Sequence, residues 1–164
     1  GAIVVYDAWH KRNPFGPLLM GLCRALVYIA AGLAAAGTAS AAAPVAAASL
    51  AYLIGLTAIA KREGAGGGLW SLPLLGGPLV YALARGGGAW ALAFAVLFAG
   101  WTAFALTLLR GPQPQIGRAV GYLIAGISLA DALYLASRRL PLAAGLALLC
   151  FLATLRLQQW VRGT

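Results

Sequence analysis

Residues 4–28, VVYDAWHKRNPFGPLLMGLCRALVY, gather Asp7, His10, Lys11, Arg12 and Arg24 into an otherwise apolar chain. Those residue types suit one kind of chemistry above others. Lysines and arginines that converge at a water-poor mouth hold phosphate oxygens, and arginine does so with a planar fork that meets two oxygens at once. Asn13-Pro14 and Gly16-Pro17 break the backbone between the polar patch and the apolar run that follows, because proline lacks an amide hydrogen and restricts its predecessor. Arg24 lies about two turns into that run. Gly21, Arg24 and Tyr28 share one helical face, where the bare glycine leaves room beside the guanidinium and Tyr28 adds a hydroxyl. An arginine at that depth is costly in lipid unless it faces a bundle interior or polar cavity, the alternative being that it snorkels to the interface.

Further along, Lys61-Arg62-Glu63 closes another apolar run, and Tyr52, Ile59 and Glu63 share one of its faces. Arg24 and Glu63 are therefore candidates to pair, or to line one cavity. For Lys11, Arg12, Lys61 and Arg62 taken individually, contact with anionic headgroups is the favoured account of the charge. Asp131 is the isolated acid, some 14 residues into its run and so roughly 20 Å from the run's start. That depth argues against a pair with Arg24 and favours a structural role, with Arg138 or Arg139 as nearer partners. His10 with Asp7 makes two metal ligands and no closed site, which favours an interfacial histidine. The chain has no HExxH, no Walker loop and no Ser-His-Asp order, and residues 64–68 read as a flexible glycine turn.

The elements that must carry these residues are membrane helices. Of 164 residues, 62% are hydrophobic and 9% charged; the mean hydropathy is +0.88. Soluble domains carry about a quarter of their residues as charged groups. Repeated apolar runs of about 20 residues predict an all-α, polytopic transmembrane bundle. Six full spans are expected over 17–36, 44–60, 69–84, 89–109, 116–136 and 140–159. The third is interrupted by Pro73 and Gly76-Gly77-Pro78 and should kink or break there. The chain opens on Gly1, and residues 1–6 read as the tail of a seventh span, so the expectation is one transmembrane domain over 1–164 that forms the C-terminal part of a longer protein. Gly117-x-x-x-Gly121 with Ala125 predicts a small-residue face for close helix packing. Cys23 and Cys150 lie in apolar runs and read as small buried hydrophobes.

The net charge of +9 comes from 12 Lys+Arg against 3 Asp+Glu. Because the cations flank apolar runs, they read as topology signals and lipid contacts and not as a nucleic-acid surface. Alternating spans place Lys11, Arg12, Lys61, Arg62, Arg110, Arg118 and Arg162 on one side, with Arg85, Arg138 and Arg139 on the other. The positive-inside rule makes the first side cytoplasmic.

VYDAWHKRNPFGPLLMGLCRALVY resembles the middle of the UbiA-superfamily membrane prenyltransferases, with an aromatic–lysine patch, a proline-containing turn and a helix patterned like Gly21 and its neighbours. LMGLCRALVY and YLIGLTAIAKREG look closest to the EboC-like branch. The resemblance implies a UbiA-like bundle around a cavity, an inner-membrane location, and transfer of a prenyl group from a prenyl diphosphate to an aromatic or other lipophilic acceptor. It also implies Mg²⁺ on two aspartate-rich motifs at the cytoplasmic end. The first motif would precede Gly1; at the place of the second stand Lys61, Arg62 and Glu63, with Glu63 the only acid. Carried onto matching positions, the resemblance implies Tyr6 and Lys11 for the diphosphate and Glu63 for metal. The residue reading adds Arg12 and Arg24 for the diphosphate and Asp7 for metal. A non-catalytic transporter or lipid-binding protein is the competing class, suited by the broken third span and by Asp131.

Overall fold

The computed structural model describes residues 16–60, 69–110 and 113–160. Every element among them is helical: α1 (Gly16–Ala36), α2 (Ala43–Ala60), a 3-10 helix (Leu69–Gly76), α3 (Gly77–Arg85), α4 (Gly88–Thr107), α5 (Ile116–Ser137) and α6 (Pro141–Trp160). Four of them, α2, α4, α5 and α6, are apolar and long enough to cross a bilayer. Their 18 to 22 residues correspond to about 27–33 Å of helix, which matches the hydrocarbon thickness. The protein is an integral membrane protein with several spans. In α1 the apolar stretch is shorter, Gly21–Ala34. The third expected span is divided into two helical pieces. Pro73, inside the 3-10 helix, has no amide hydrogen to donate, and α3 begins anew at Gly77-Pro78, where a proline in the first turn is tolerated.

Contacts divide the chain into two compact units, Gly1–Tyr81 and Ala82–Thr164. In the first, α1 packs along α2, and α2 along the 3-10 helix. Glycines permit the close approaches. A Cβ on Gly77 would lie 2.6 Å from the Ala48 carbonyl oxygen. α2 buries Val45, Ala48, Ser49, Tyr52, Leu56 and Ile59.

In the second unit, α5 is the central helix and packs against both α4 and α6. α4 buries Ala91, Phe94, Phe98, Thr102 and Ala105, a stripe at three- and four-residue steps. The small-residue face of α5 includes the expected Ala125 but not Gly117. Gly117 is exposed, and the fully buried small residues are Ala119, Ala125, Ala132 and Ala136. Alanine suffices because its single methyl lets neighbouring backbones approach. Large apolar side chains remain on the outside, among them Val96 of α4 and Leu142, Leu146 and Leu149 of α6. In water such a surface would drive association; against acyl chains it is the ordinary exterior. Cys150 belongs to this exposed exterior and Cys23 is half-buried, which corrects the expectation that both are buried; neither is in a disulfide.

α5 ends in a six-to-one and five-to-two hydrogen-bond pair, Leu140 N–H to Leu135 O at 3.1 Å and Arg139 N–H to Ala136 O at 3.0 Å. That termination requires a left-handed residue, usually glycine. Arg139 fills the position with φ of 60°. A Cβ there costs roughly 1 kcal/mol. Arg139→Gly is therefore expected to leave the stability unchanged or raise it by up to about 1 kcal/mol, while Arg139→Val should lower it. Thermal unfolding in detergent checks both signs.

Candidate functional site

Of the residues expected to do chemistry, the structure describes Arg24 and Asp131; Tyr6, Asp7, Lys11, Arg12 and Glu63, with His10, Lys61 and Arg62, lie outside the described residues. Arg24 is carried by α1, an apolar helix whose outward residues include Leu22, Leu26 and Val27. Its side chain is half-exposed overall, but the Nε atom is buried. The guanidinium carbon lies 5.4 Å from the centre of the Tyr28 ring. This is the four-residue spacing at work: residues one turn apart stack on a helix surface, and a guanidinium within about 6 Å of an aromatic face is attracted by the ring's quadrupole. The ring covers part of the cation.

Gly21 does not make room for Arg24, as its place on the same face had suggested. A Cβ there would lie 2.7 Å from Leu50 Cδ1 and 3.2 Å from the Leu50 carbonyl oxygen. The glycine serves α2, whose backbone approaches α1 at that level. The face shared by Tyr52 and Ile59 is likewise packed: both are buried, Ile59 with 0% exposure. The upper part of that face is core, not cavity wall.

Asp131 sits on α5, half-buried and partnered, flanked by buried Ala130 and Ala132. Arg24 and Asp131 belong to different units. Among the described residues no group of three His, Cys, Asp or Glu side chains comes together. Asp131 is the one carboxylate side chain among the described residues; Mg²⁺ takes oxygen ligands from carboxylates and phosphates, and the carboxylates expected to hold it, Asp7 and Glu63, lie outside them.

A second polar-aromatic group lies where α4 ends, α5 begins and α6 ends. Trp101 Nε1–H donates to the Tyr122 carbonyl oxygen at 2.8 Å. Gln158 Nε2–H donates to the preceding carbonyl, that of Gly121, at 3.0 Å. Two neighbouring helices thus hold consecutive carbonyls of α5. The Trp101 ring meets Tyr122 edge-on at 5.4 Å and Phe151 edge-on at 4.8 Å, and Phe104 stacks on Tyr122 at 5.7 Å. Sequence reasoning passed over this group. The available signal was the placement of Trp101, Phe104, Tyr122 and Gln158 near helix ends, where amphipathic side chains collect at membrane interfaces.

Comparison of the chain with models of known protein families, with curated proteins and with solved structures finds no match in any of the three.

Proposed function

We propose that the chain is part of a UbiA-like integral membrane prenyltransferase, which takes a prenyl diphosphate and transfers the prenyl group to an aromatic or other lipophilic acceptor. The observation that supports this most is Arg24: an arginine on an apolar helix, partly shielded, stacked on Tyr28. In this reading the guanidinium fork contacts the diphosphate, with Tyr6, Lys11 and Arg12 contributing from the preceding segment. Their role is electrostatic. As the bond between the allylic carbon and the diphosphate oxygen breaks, negative charge grows on the leaving group, and fixed cations in a water-poor site stabilise that charge. The allylic carbon is then captured by the acceptor. Mg²⁺ belongs to the resemblance, with Asp7 and Glu63 as its candidate ligands.

The test is binding of farnesyl diphosphate to the full chain in lipid nanodiscs, by calorimetry, with inorganic pyrophosphate as competitor. Saturable binding that pyrophosphate displaces is expected. If farnesyl diphosphate does not bind, the transferase reading falls. The second reading, a transporter or lipid-binding protein, then becomes the better one. It is favoured by the division of the third segment into a 3-10 helix and α3, since interrupted helices at membrane depth serve binding sites in transporters.

In the same proposal the site faces the cytoplasm at an inner membrane. Within the second unit, a cysteine replacing Arg85 or Arg138 should then be labelled by an impermeant maleimide from outside the cell, and one replacing Arg110 should be protected. The reverse pattern would invert the orientation.

A further inference from the structure

The aromatic group at the junction of α4, α5 and α6 reaches the outside of the protein. Its rings are held from behind by the Trp101 hydrogen bond and by buried Phe151, yet Phe104 is 49% exposed. Gln115, Arg118 and Tyr122 follow at three- and four-residue spacing, which places them on one face of α5. Arg118 is exposed, and its Nη1–H donates to Gln115 Oε1 at 2.6 Å. That bond uses one of the five N–H donors of a guanidinium and orients the remainder.

The charge at this end has no counterpart within the unit. Arg110, Arg118 and Arg156 are all exposed here. From Ala82 onward the only carboxylate side chain is Asp131, thirteen residues beyond Arg118 along α5 and so about 20 Å away. Apolar rings beside an oriented, unneutralised guanidinium at a helix end match the two parts of a lipid: acyl chain and anionic headgroup.

We propose that this face is a binding site for one anionic phospholipid. The Arg118 guanidinium takes the phosphate as a charge-assisted hydrogen-bond donor, Arg110 adds charge beside it, and the stacked Phe104 and Tyr122 rings carry the upper part of an acyl chain. The site is independent of the diphosphate site proposed on α1.

Native mass spectrometry of the full chain in detergent tests it, with phosphatidylglycerol and phosphatidylcholine of identical acyl chains titrated separately. The first phosphatidylglycerol should bind several-fold more tightly than phosphatidylcholine. Arg118→Gln should weaken the first phosphatidylglycerol by about five-fold, the effect of one basic residue at an anionic surface, and leave phosphatidylcholine unchanged. Arg85→Gln, at the end of α3 and ahead of the opposite end of α4, should change neither. Millimolar inorganic phosphate should not displace the lipid. Equal affinity for the two lipids, or parental phosphatidylglycerol affinity in Arg118→Gln, overturns the proposal. Displacement by inorganic phosphate also overturns it, since the site would then be an anion site and not a lipid site. Should Arg118→Gln fail to fold, Arg110→Gln and Phe104→Leu carry the same test, and parental affinity in both overturns it equally.

Discussion

Arg24→Lys is expected to weaken farnesyl diphosphate binding by roughly 10- to 150-fold, and Arg24→Gln by more. Lysine keeps the charge and loses the planar fork, so one of two phosphate oxygens goes without a partner. A hydrogen bond to a charged group contributes about 1.5–3 kcal/mol, which gives that range. The position on Tyr28 supplies an internal check. The guanidinium carbon is 5.4 Å from the ring centre, so the ring contributes to holding the fork in place. Tyr28→Leu should therefore weaken binding by a smaller factor, about 2- to 30-fold, corresponding to a cation–π contribution of about 0.5–2 kcal/mol. Calorimetry on each variant in nanodiscs reads both effects, with thermal unfolding as the folding control. If Arg24→Gln binds as tightly as the parent while folded, Arg24 is an interfacial residue and the diphosphate contact lies elsewhere.

Gly87→Val is expected to destabilise the second unit by about 3 kcal/mol, at the upper end of the usual cost of overpacking. The reason is steric. Gly87 has φ of −72° and ψ of 12°, values that other residues adopt without strain. A Cβ there, however, would lie 2.5 Å from Ser137 Cα, 3.0 Å from the Ser137 carbonyl oxygen and 2.7 Å from Ala91 Cβ. The Ser137 atoms are backbone and cannot rotate away. Ser137 is itself held, buried, with its hydroxyl donating to the Leu133 carbonyl oxygen at 2.8 Å. To admit a side chain at residue 87, the start of α4 must move off the end of α5. Gly100→Ala on the same helix makes the comparison: nothing lies within 4 Å of its Cβ position. Alanine is the better helix former by up to about 1 kcal/mol, so that variant should be neutral or stabilised. Thermal unfolding in one detergent separates the two. A parental melting temperature for Gly87→Val would show that the α4–α5 approach is looser than described.

Of the expected diphosphate contacts, Tyr6, Lys11 and Arg12 lie outside the described residues, so the geometry can be compared with the sequence reading only at Arg24. There the reading of the helix face was good for one pair and poor for another. The Arg24–Tyr28 contact follows from four-residue spacing, a property of any α-helix, and is found at the ring face. Gly21 shares that face by the same spacing but is occupied by Leu50 of α2, a residue nearly thirty positions away. Spacing says which side chains are neighbours on one helix. It says nothing about which helix comes to lie against them.

The helical, membrane-spanning class was determined by the sequence alone, and so were the element positions to within a few residues. The expected 44–60 is found as Ala43–Ala60, 116–136 as Ile116–Ser137 and 140–159 as Pro141–Trp160. The break at Gly76-Gly77-Pro78 falls where expected. These features are local: the length of an apolar run, the missing amide hydrogen of proline and the freedom of glycine act within one segment. Tertiary structure alone decided which faces pack. In a membrane helix nearly every position is apolar, so no polar stripe separates the inward side from the outward one. The spacing of α5 picks out Ala125, which is fully buried, but does not distinguish Ala119, Ala132 and Ala136, equally buried, from Gly117, exposed. The meeting of Trp101, Tyr122, Phe151 and Gln158 was equally hidden, because it joins three helices at one end. That convergence depends on the order and antiparallel return of whole spans, which fall into place only when their small residues let the backbones come together.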